Sequence, residues 1–164
     1  MPQEQLNASC FAADTLEFLT ALDRHAVKYM IVGGEAVIFY GYARVTGDID
    51  FFYELTPENT ERLFAALRDF WQGSIPGLTA AVELMPPGTI IQFGVPPNRI
   101  DLVNRIDGVD FTQAWPNRSR AFIRHQDRDI PLCYLGRNDL VRNKRAVGRP
   151  KDLDDLRFLE KPKV

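Results

Sequence analysis

Tyr29-Met30-Ile31-Val32-Gly33-Gly34, followed after thirteen residues by Asp48-Ile49-Asp50-Phe51-Phe52-Tyr53, is the stretch from which the fold is read. Tyr29 to Val32 is a short apolar run ending in two glycines, the pattern of a buried strand that turns tightly into its successor. Glu35 to Tyr42 is apolar, short and closed by Gly41, which predicts a helix beginning at Gly33 and Gly34. Unpaired N–H groups and the helix dipole attract anions at such a start, and two glycines let a phosphate approach without meeting a Cβ. In the strand that follows, Ile49, Phe51 and Tyr53 face one way and Asp48 and Asp50 the other. The apolar set belongs to the core.

Two residues along a strand separate the Asp48 and Asp50 Cα atoms by about 6 to 7 Å, so both side chains can converge on ions about 4 Å apart. Like charges this close need a cation between them, and an all-oxygen site with phosphate as co-ligand favours Mg²⁺, with Mn²⁺ as its substitute. A third carboxylate, Asp101 in Arg99-Ile100-Asp101-Leu102-Val103, repeats the pattern, with Ile100 and Leu102 on the core face. If the two strands are near neighbours, the three acids form a two-metal phosphoryl or nucleotidyl transfer site, and Asp101 is placed to activate an acceptor hydroxyl.

With Tyr40-Gly41-Tyr42-Ala43-Arg44-Val45-Thr46-Gly47 leading into Asp48-Ile49-Asp50, the chain resembles the DNA polymerase β-like nucleotidyltransferases. It is most similar to their small prokaryotic members, which include the abortive-infection toxins. The segment Leu140 to Leu156, with Lys144 and Arg149-Pro150-Lys151-Asp152, is similar to their C-terminal motif, so the likeness spans Tyr29 to Leu159. The resemblance implies a mixed β-sheet with flanking helices, of α/β (α+β) class. It implies that Asp48, Asp50 and Asp101 are catalytic and bind metal, that Gly33 and Gly34 cradle phosphates, and that Arg44, Thr46, Lys144 and Arg149 contact nucleotide. Many relatives carry Ser at the second glycine; Gly34 supplies backbone alone. The implied reaction moves a nucleoside monophosphate from a nucleoside triphosphate (NTP) to an acceptor hydroxyl on RNA or protein. A cognate antitoxin is the partner that a toxin-like member would have.

At 164 residues and 45% hydrophobic, the chain can bury one good core. A single nucleotidyltransferase domain over 1–164 is expected, with an N-terminal helix over 1–27, a catalytic sheet core over 28–104 and basic helices over 136–160. No apolar run reaches the ~18 residues of a membrane span. The start MPQEQLNASC lacks the basic beginning of a signal peptide, and Cys10 and Cys133 match no metal or disulfide framework, so a cytoplasmic protein is expected. His25 and His125 form no ligand pair.

Between Arg137 and Lys151 six bases face one acid, a local +5 in a chain of net −2, which leaves −7 elsewhere. Such a patch suits focusing polyphosphate onto one site better than coating a long nucleic acid. Asn138 is read as the cap of a helix with Leu140, Val141 and Val147 on one side. Lys144 falls on that same side, where an ammonium either reaches the triphosphate or snorkels to solvent. Asp152 is placed to orient Lys144 or Arg149.

Elsewhere, Asp14 with Glu17 reads as a capping box for a helix through about Ala26, and Thr56-Pro57 opens a helix ending near Trp71. Thr89 to Phe93 and Arg99 to Val103 read as a hairpin, Arg120 to Arg124 and Ile130 to Leu135 as further strands. Pro150 starts a terminal helix with Leu153, Leu156 and Leu159 inward. Two other functions use similar carboxylates: a non-catalytic nucleotide- or partner-binding module of the same fold, and a two-metal nuclease, which needs neither the glycine turn nor the basic helix.

Overall fold

In the computed structural model, which describes residues 3–162, the two aspartate strands lie side by side. The outermost residues of the expected 1–164 domain, 1–2 and 163–164, are outside the described part. The elements run β1 (Glu4–Leu6), α1 (Ala13–Arg24), β2 (Tyr29–Val32), α2 (Gly33–Phe39), β3 (Asp48–Tyr53), α3 (Pro57–Phe70), β4 (Ile90–Phe93), β5 (Arg99–Val103), α4 (Phe111–Ala114), β6 (Ser119–His125), β7 (Arg128–Tyr134), α5 (Arg137–Val147) and α6 (Pro150–Leu159). The strands form one seven-stranded mixed sheet in the order β1-β6-β7-β2-β3-β5-β4. Among the described residues, no helix is long and apolar enough to cross a membrane.

The alternation in β3 sorts the two sheet faces. Phe51 meets Phe18 of α1 edge-on at 5.2 Å, and Phe18 meets Phe70 of α3 at 5.4 Å, so α1 and α3 cover the Ile49–Phe51–Tyr53 face. Phe18 and Phe51 are fully buried, and each such side chain stabilises the fold by about 1.5–3 kcal/mol relative to exposure. On the opposite face, Phe52 meets Phe111 of α4, while α2, packed on β3 and α5, lies over the aspartate end. Antiparallel β2–β3 and parallel β3–β5 pairing then fix every side chain's height along the strands.

Several local expectations are corrected. Asp14 lies inside the first turn of α1, whose N-cap is Ala12 with no side-chain bond, and the segment before it holds β1 and a 3₁₀ turn at Ala8–Cys10 instead of continuous helix. By contrast, Thr56 caps α3 as expected, its Oγ1 accepting from Asn59 N at 3.1 Å. The helix α5 starts at Arg137, one residue ahead of Asn138, because Gly136 is the cap. A Cβ at Gly136 would stand 2.5 Å from the Asn117 carbonyl oxygen, so only glycine lets the chain enter the helix there. In α6, Leu153 is 48% exposed. The inward stripe is Asp152, Asp155, Leu156 and Leu159, at the i, i+3, i+4, i+7 spacing of one helix face. Two of its four members are carboxylates.

Candidate metal centre

Parallel register sets Asp50 opposite Asp101 and Asp48 opposite Arg99. Because side chains at i and i+2 share a strand face, all four project from the same side of β3 and β5. The carboxylates of Asp48, Asp50 and Asp101 offer oxygens that all lie within 4.8 Å of one another. Asp101 is 5% exposed, whereas Asp48 and Asp50 are half-buried. Burial, then the neighbouring Asp48 and Asp101 charges, push the Asp50 carboxyl up to about 7, and Arg99 partly offsets them. Crowded carboxylates of this kind fit a hard divalent cation: with metal–oxygen bonds near 2.1 Å, oxygens on opposite sides of one ion stand about 4.2 Å apart. The donor set is entirely oxygen, which suits Mg²⁺ or Mn²⁺ better than a thiophilic metal.

Arg99 was not among the expected site residues, yet it reaches into this cluster. Its Nη2 donates to Asp48 Oδ2 at 2.8 Å, and its Nε and Nη2 donate to the two Asp101 oxygens at 2.9 and 3.1 Å. The signal was present in the spacing: Arg99 stands two residues before Asp101 and therefore on its face. What the spacing lacked was the register that brings Asp48 alongside.

The glycine pair presses directly against the acids. Gly33 has φ +67°, and a Cβ there would lie 2.3 Å from Asp50 Oδ2. At Gly34 a Cβ would lie 2.9 Å from Thr46 Oγ1 and 3.2 Å from Arg44 Nη2. Thr46 Oγ1 in turn stands 3.2 Å from both the carbonyl and the Oδ1 of Asp48, so the loop from Arg44 to Thr46 is tied to the first aspartate. Gly33, Gly34, Arg44 and Thr46 thus meet around Asp48 and Asp50.

Lys144 does find a partner for its inward ammonium, but that partner is protein. Nζ lies 3.0 Å from Asp152 Oδ1 and 3.0 Å from Asp155 Oδ2, with the side chain only 4% exposed. The same two carboxylates each hold an arginine. Asp155 pairs with Arg44, and Asp152 Oδ2 accepts from Arg149 Nε at 2.8 Å. Burial would raise the Asp152 carboxyl, but the hydrogen bonds from Arg149 and Lys144 bring it below its ordinary range. Arg149 is held in its charged form by Asp152 and further by Asp50 and Asp48, which places it in the field of the acidic cluster. Instead of reaching out toward open space, Lys144 anchors the two arginines that flank the cluster.

The rest of the basic segment is also largely paired. Arg137 donates to the Leu159 carbonyl, Arg142 pairs with Asp139 and Arg145 with Glu160. Lys151 is exposed and has no ion-pair partner among the described residues. Of the six bases expected to focus charge, Arg149, itself paired with Asp152, and Lys151 are therefore the ones left to act on the site.

A fourth acid, Glu35 in the first turn of α2, shares a cavity of about 70 Å³ with Asp48, Thr15, Cys10 and Asn98. Burial and then Asp48 raise its carboxyl. A roomier hollow of about 500 Å³ opens at the far ends of β3 and β5, between Phe52, Arg105, Ile106 and Phe111, and includes none of the three aspartates.

The family described as "Nucleotidyltransferase of unknown function (DUF6036)" has a model that matches residues 12–160, most of the chain. No curated protein and no solved structure matches it.

Proposed function

This chain belongs to the nucleotidyltransferase family of unknown function DUF6036, and we propose that it transfers a nucleoside monophosphate from an NTP to an acceptor hydroxyl in a divalent-cation-dependent reaction. The observation that carries the reading is the register Asp50↔Asp101, which gathers three carboxylates from two strands beside the Gly33–Gly34 turn. On its glycine and double-aspartate motif we place the chain among the polymerase β-like enzymes, near their toxin-like small members. An RNA or a protein would be the acceptor, and a cognate antitoxin a partner.

The roles follow from position. Asp48, Asp50 and Asp101 would hold Mg²⁺ or Mn²⁺, which, when bound, supplies neutralisation of the triphosphate charge. Asp101 accepts the proton of the acceptor hydroxyl; that oxygen bonds to the α-phosphorus while the bridging bond to the β-phosphate breaks and pyrophosphate leaves. Gly33 and Gly34 would offer phosphate oxygens the backbone N–H groups at the start of α2. Arg44 and Arg149 present guanidinium groups, which pair with phosphate bidentately. Thr46 steadies Asp48, and Lys144 serves the nucleotide through the carboxylates that position both arginines. Catalysis of this kind is mostly alignment and charge stabilisation.

The test is direct. Purified protein is incubated with Mg²⁺, each of the four α-labelled NTPs in turn, and total RNA or protein as acceptor. Label should enter a macromolecule, adding one nucleoside monophosphate by intact mass, and should vanish with Asp48→Ala. Absence of transfer across all four nucleotides and both acceptor classes would overturn the reading.

A further inference from the structure

The geometry points to Arg99 as an internal counter-ion of the acidic cluster: its guanidinium competes with a divalent cation for Asp48 and Asp101, and on release it binds the phosphates of the incoming nucleotide. This rests on the nucleotidyltransferase reading above and adds to it a positioning residue that controls when the cation can enter.

Three hydrogen bonds place the guanidinium. Arg99 forks onto both oxygens of Asp101 at 2.9 and 3.1 Å and reaches Asp48 Oδ2 at 2.8 Å. Both Asp101 oxygens and Asp48 Oδ2 are thus engaged by the guanidinium, whose positive charge within the cluster opposes the entry of a divalent cation. Asp50 receives no hydrogen bond from Arg99 among the described residues, so the guanidinium spans the outer pair and leaves the central acid to its neighbours.

The strand register makes the placement unavoidable. Arg99 is the cross-strand partner of Asp48 and lies two residues before Asp101, so its side chain emerges between the two carboxylates. A purely structural duty would be redundant here, because β3 and β5 are already joined through five paired positions from Asp48↔Arg99 to Phe52↔Val103. Arg99 is also free to leave. Its side chain is 31% exposed, and among the described residues its guanidinium has no hydrogen-bond partner beyond these two acids. Displaced by a cation, it stays tethered beside the cluster. There its planar fork matches a phosphate as well as it matched Asp101.

The experiment uses the full chain and does not depend on turnover. Mn²⁺ alone is titrated calorimetrically into wild type, Arg99→Gln and Arg99→Lys. With the competitor removed, Arg99→Gln should bind Mn²⁺ about tenfold tighter, as apparent affinity scales with the fraction of unblocked sites. In saturating Mn²⁺ the same variant should bind inorganic triphosphate more weakly than wild type, with Arg99→Lys intermediate in both measurements. Equal or weaker Mn²⁺ binding by Arg99→Gln, where wild type binds, would overturn the counter-ion role and leave the metal reading standing. Failure of both to bind Mn²⁺ overturns both ideas together. Should Arg99→Gln not fold, the wild-type chain still decides. Its ¹⁵N arginine side-chain resonance, identified by its loss in Arg99→Lys, should move as Mg²⁺ is added, and a fixed resonance during Mg²⁺ binding rejects the inference.

Discussion

Asp50 lies where a side chain at Gly33 would have to be: a Cβ built on Gly33 falls 2.3 Å from Asp50 Oδ2. The turn after β2 and the central acid of the cluster therefore depend on one another. The glycine is needed twice, for its positive φ and for the space it leaves.

Gly33→Ala should destabilise the protein by about 2–3 kcal/mol, from left-handed strain plus the clash, and should weaken Mn²⁺ binding by pushing Asp50 aside. Gly77→Ala is the control. Gly77 has a similar φ of +73° with no atom within 4 Å of the added Cβ, so it should cost about 1 kcal/mol and leave Mn²⁺ binding alone. Urea unfolding and calorimetry check the pair.

The Asp50 carboxyl is raised to about 7 by burial and by Asp48 and Asp101. Its folded pKa exceeds its unfolded one, so this group's contribution favours the fold below the ordinary carboxylate range and fades as pH rises from about 4 to about 7. In metal-free solution at pH 8, Asp50→Asn should therefore raise stability, on the order of 1 kcal/mol after solvent screening. Thermal unfolding at pH 8 and pH 5 should show the larger gain at the higher value. Excess Mg²⁺ should shrink it by stabilising wild type, with its three carboxylates, more than the variant with two.

Lys144→Met leaves Asp152 and Asp155 buried without their shared ammonium, and loss of one partner from a buried ion pair costs about 3–5 kcal/mol. Stability in urea should fall by that order. Asp152 has the opposite sign to Asp50: its carboxyl is lowered, so its stabilisation is present above the ordinary carboxylate range and is lost as pH falls below it. Wild type should lose stability on acidification below pH ~4 more steeply than Asp152→Asn.

Asp101→Asn separates binding from chemistry. Asp48 and Asp50 remain to hold the cation, so affinity for Mn²⁺ with a non-hydrolysable NTP analogue should drop only modestly. The transfer rate should fall by about 10²–10⁴, the usual contribution of a general base. Equal losses in affinity and rate would assign Asp101 to metal binding alone.

Period-two alternation placed Asp48, Asp50 and Asp101 on polar strand faces, and the glycine pair after an apolar run marked the β2–α2 turn; both were legible because strand periodicity is a local property. Turn and cap chemistry set α3 at Thr56-Pro57 for the same reason. The reading of α6 failed where it assumed that an inward stripe must be apolar. Leu153 was counted in, and the expected pairing of Asp152 with Lys144 or Arg149 is present, to both; the stripe itself is occupied by Asp152 and Asp155. Their burial is tolerable only because α5 delivers Lys144 between them.

What the linear chain determined by itself was which residues share a face, since that follows from 3.6 residues per helical turn and two per strand repeat. Which faces meet was decided by the tertiary structure alone. The parallel register of β3 with β5 brought Asp101 beside Asp50 and delivered Arg99 to Asp48, and the packing of α5 on α6 turned Lys144 from an expected phosphate ligand into the centre of a buried ion network. Register and helix docking depend on contacts between residues tens of positions apart, and no local spacing encodes them.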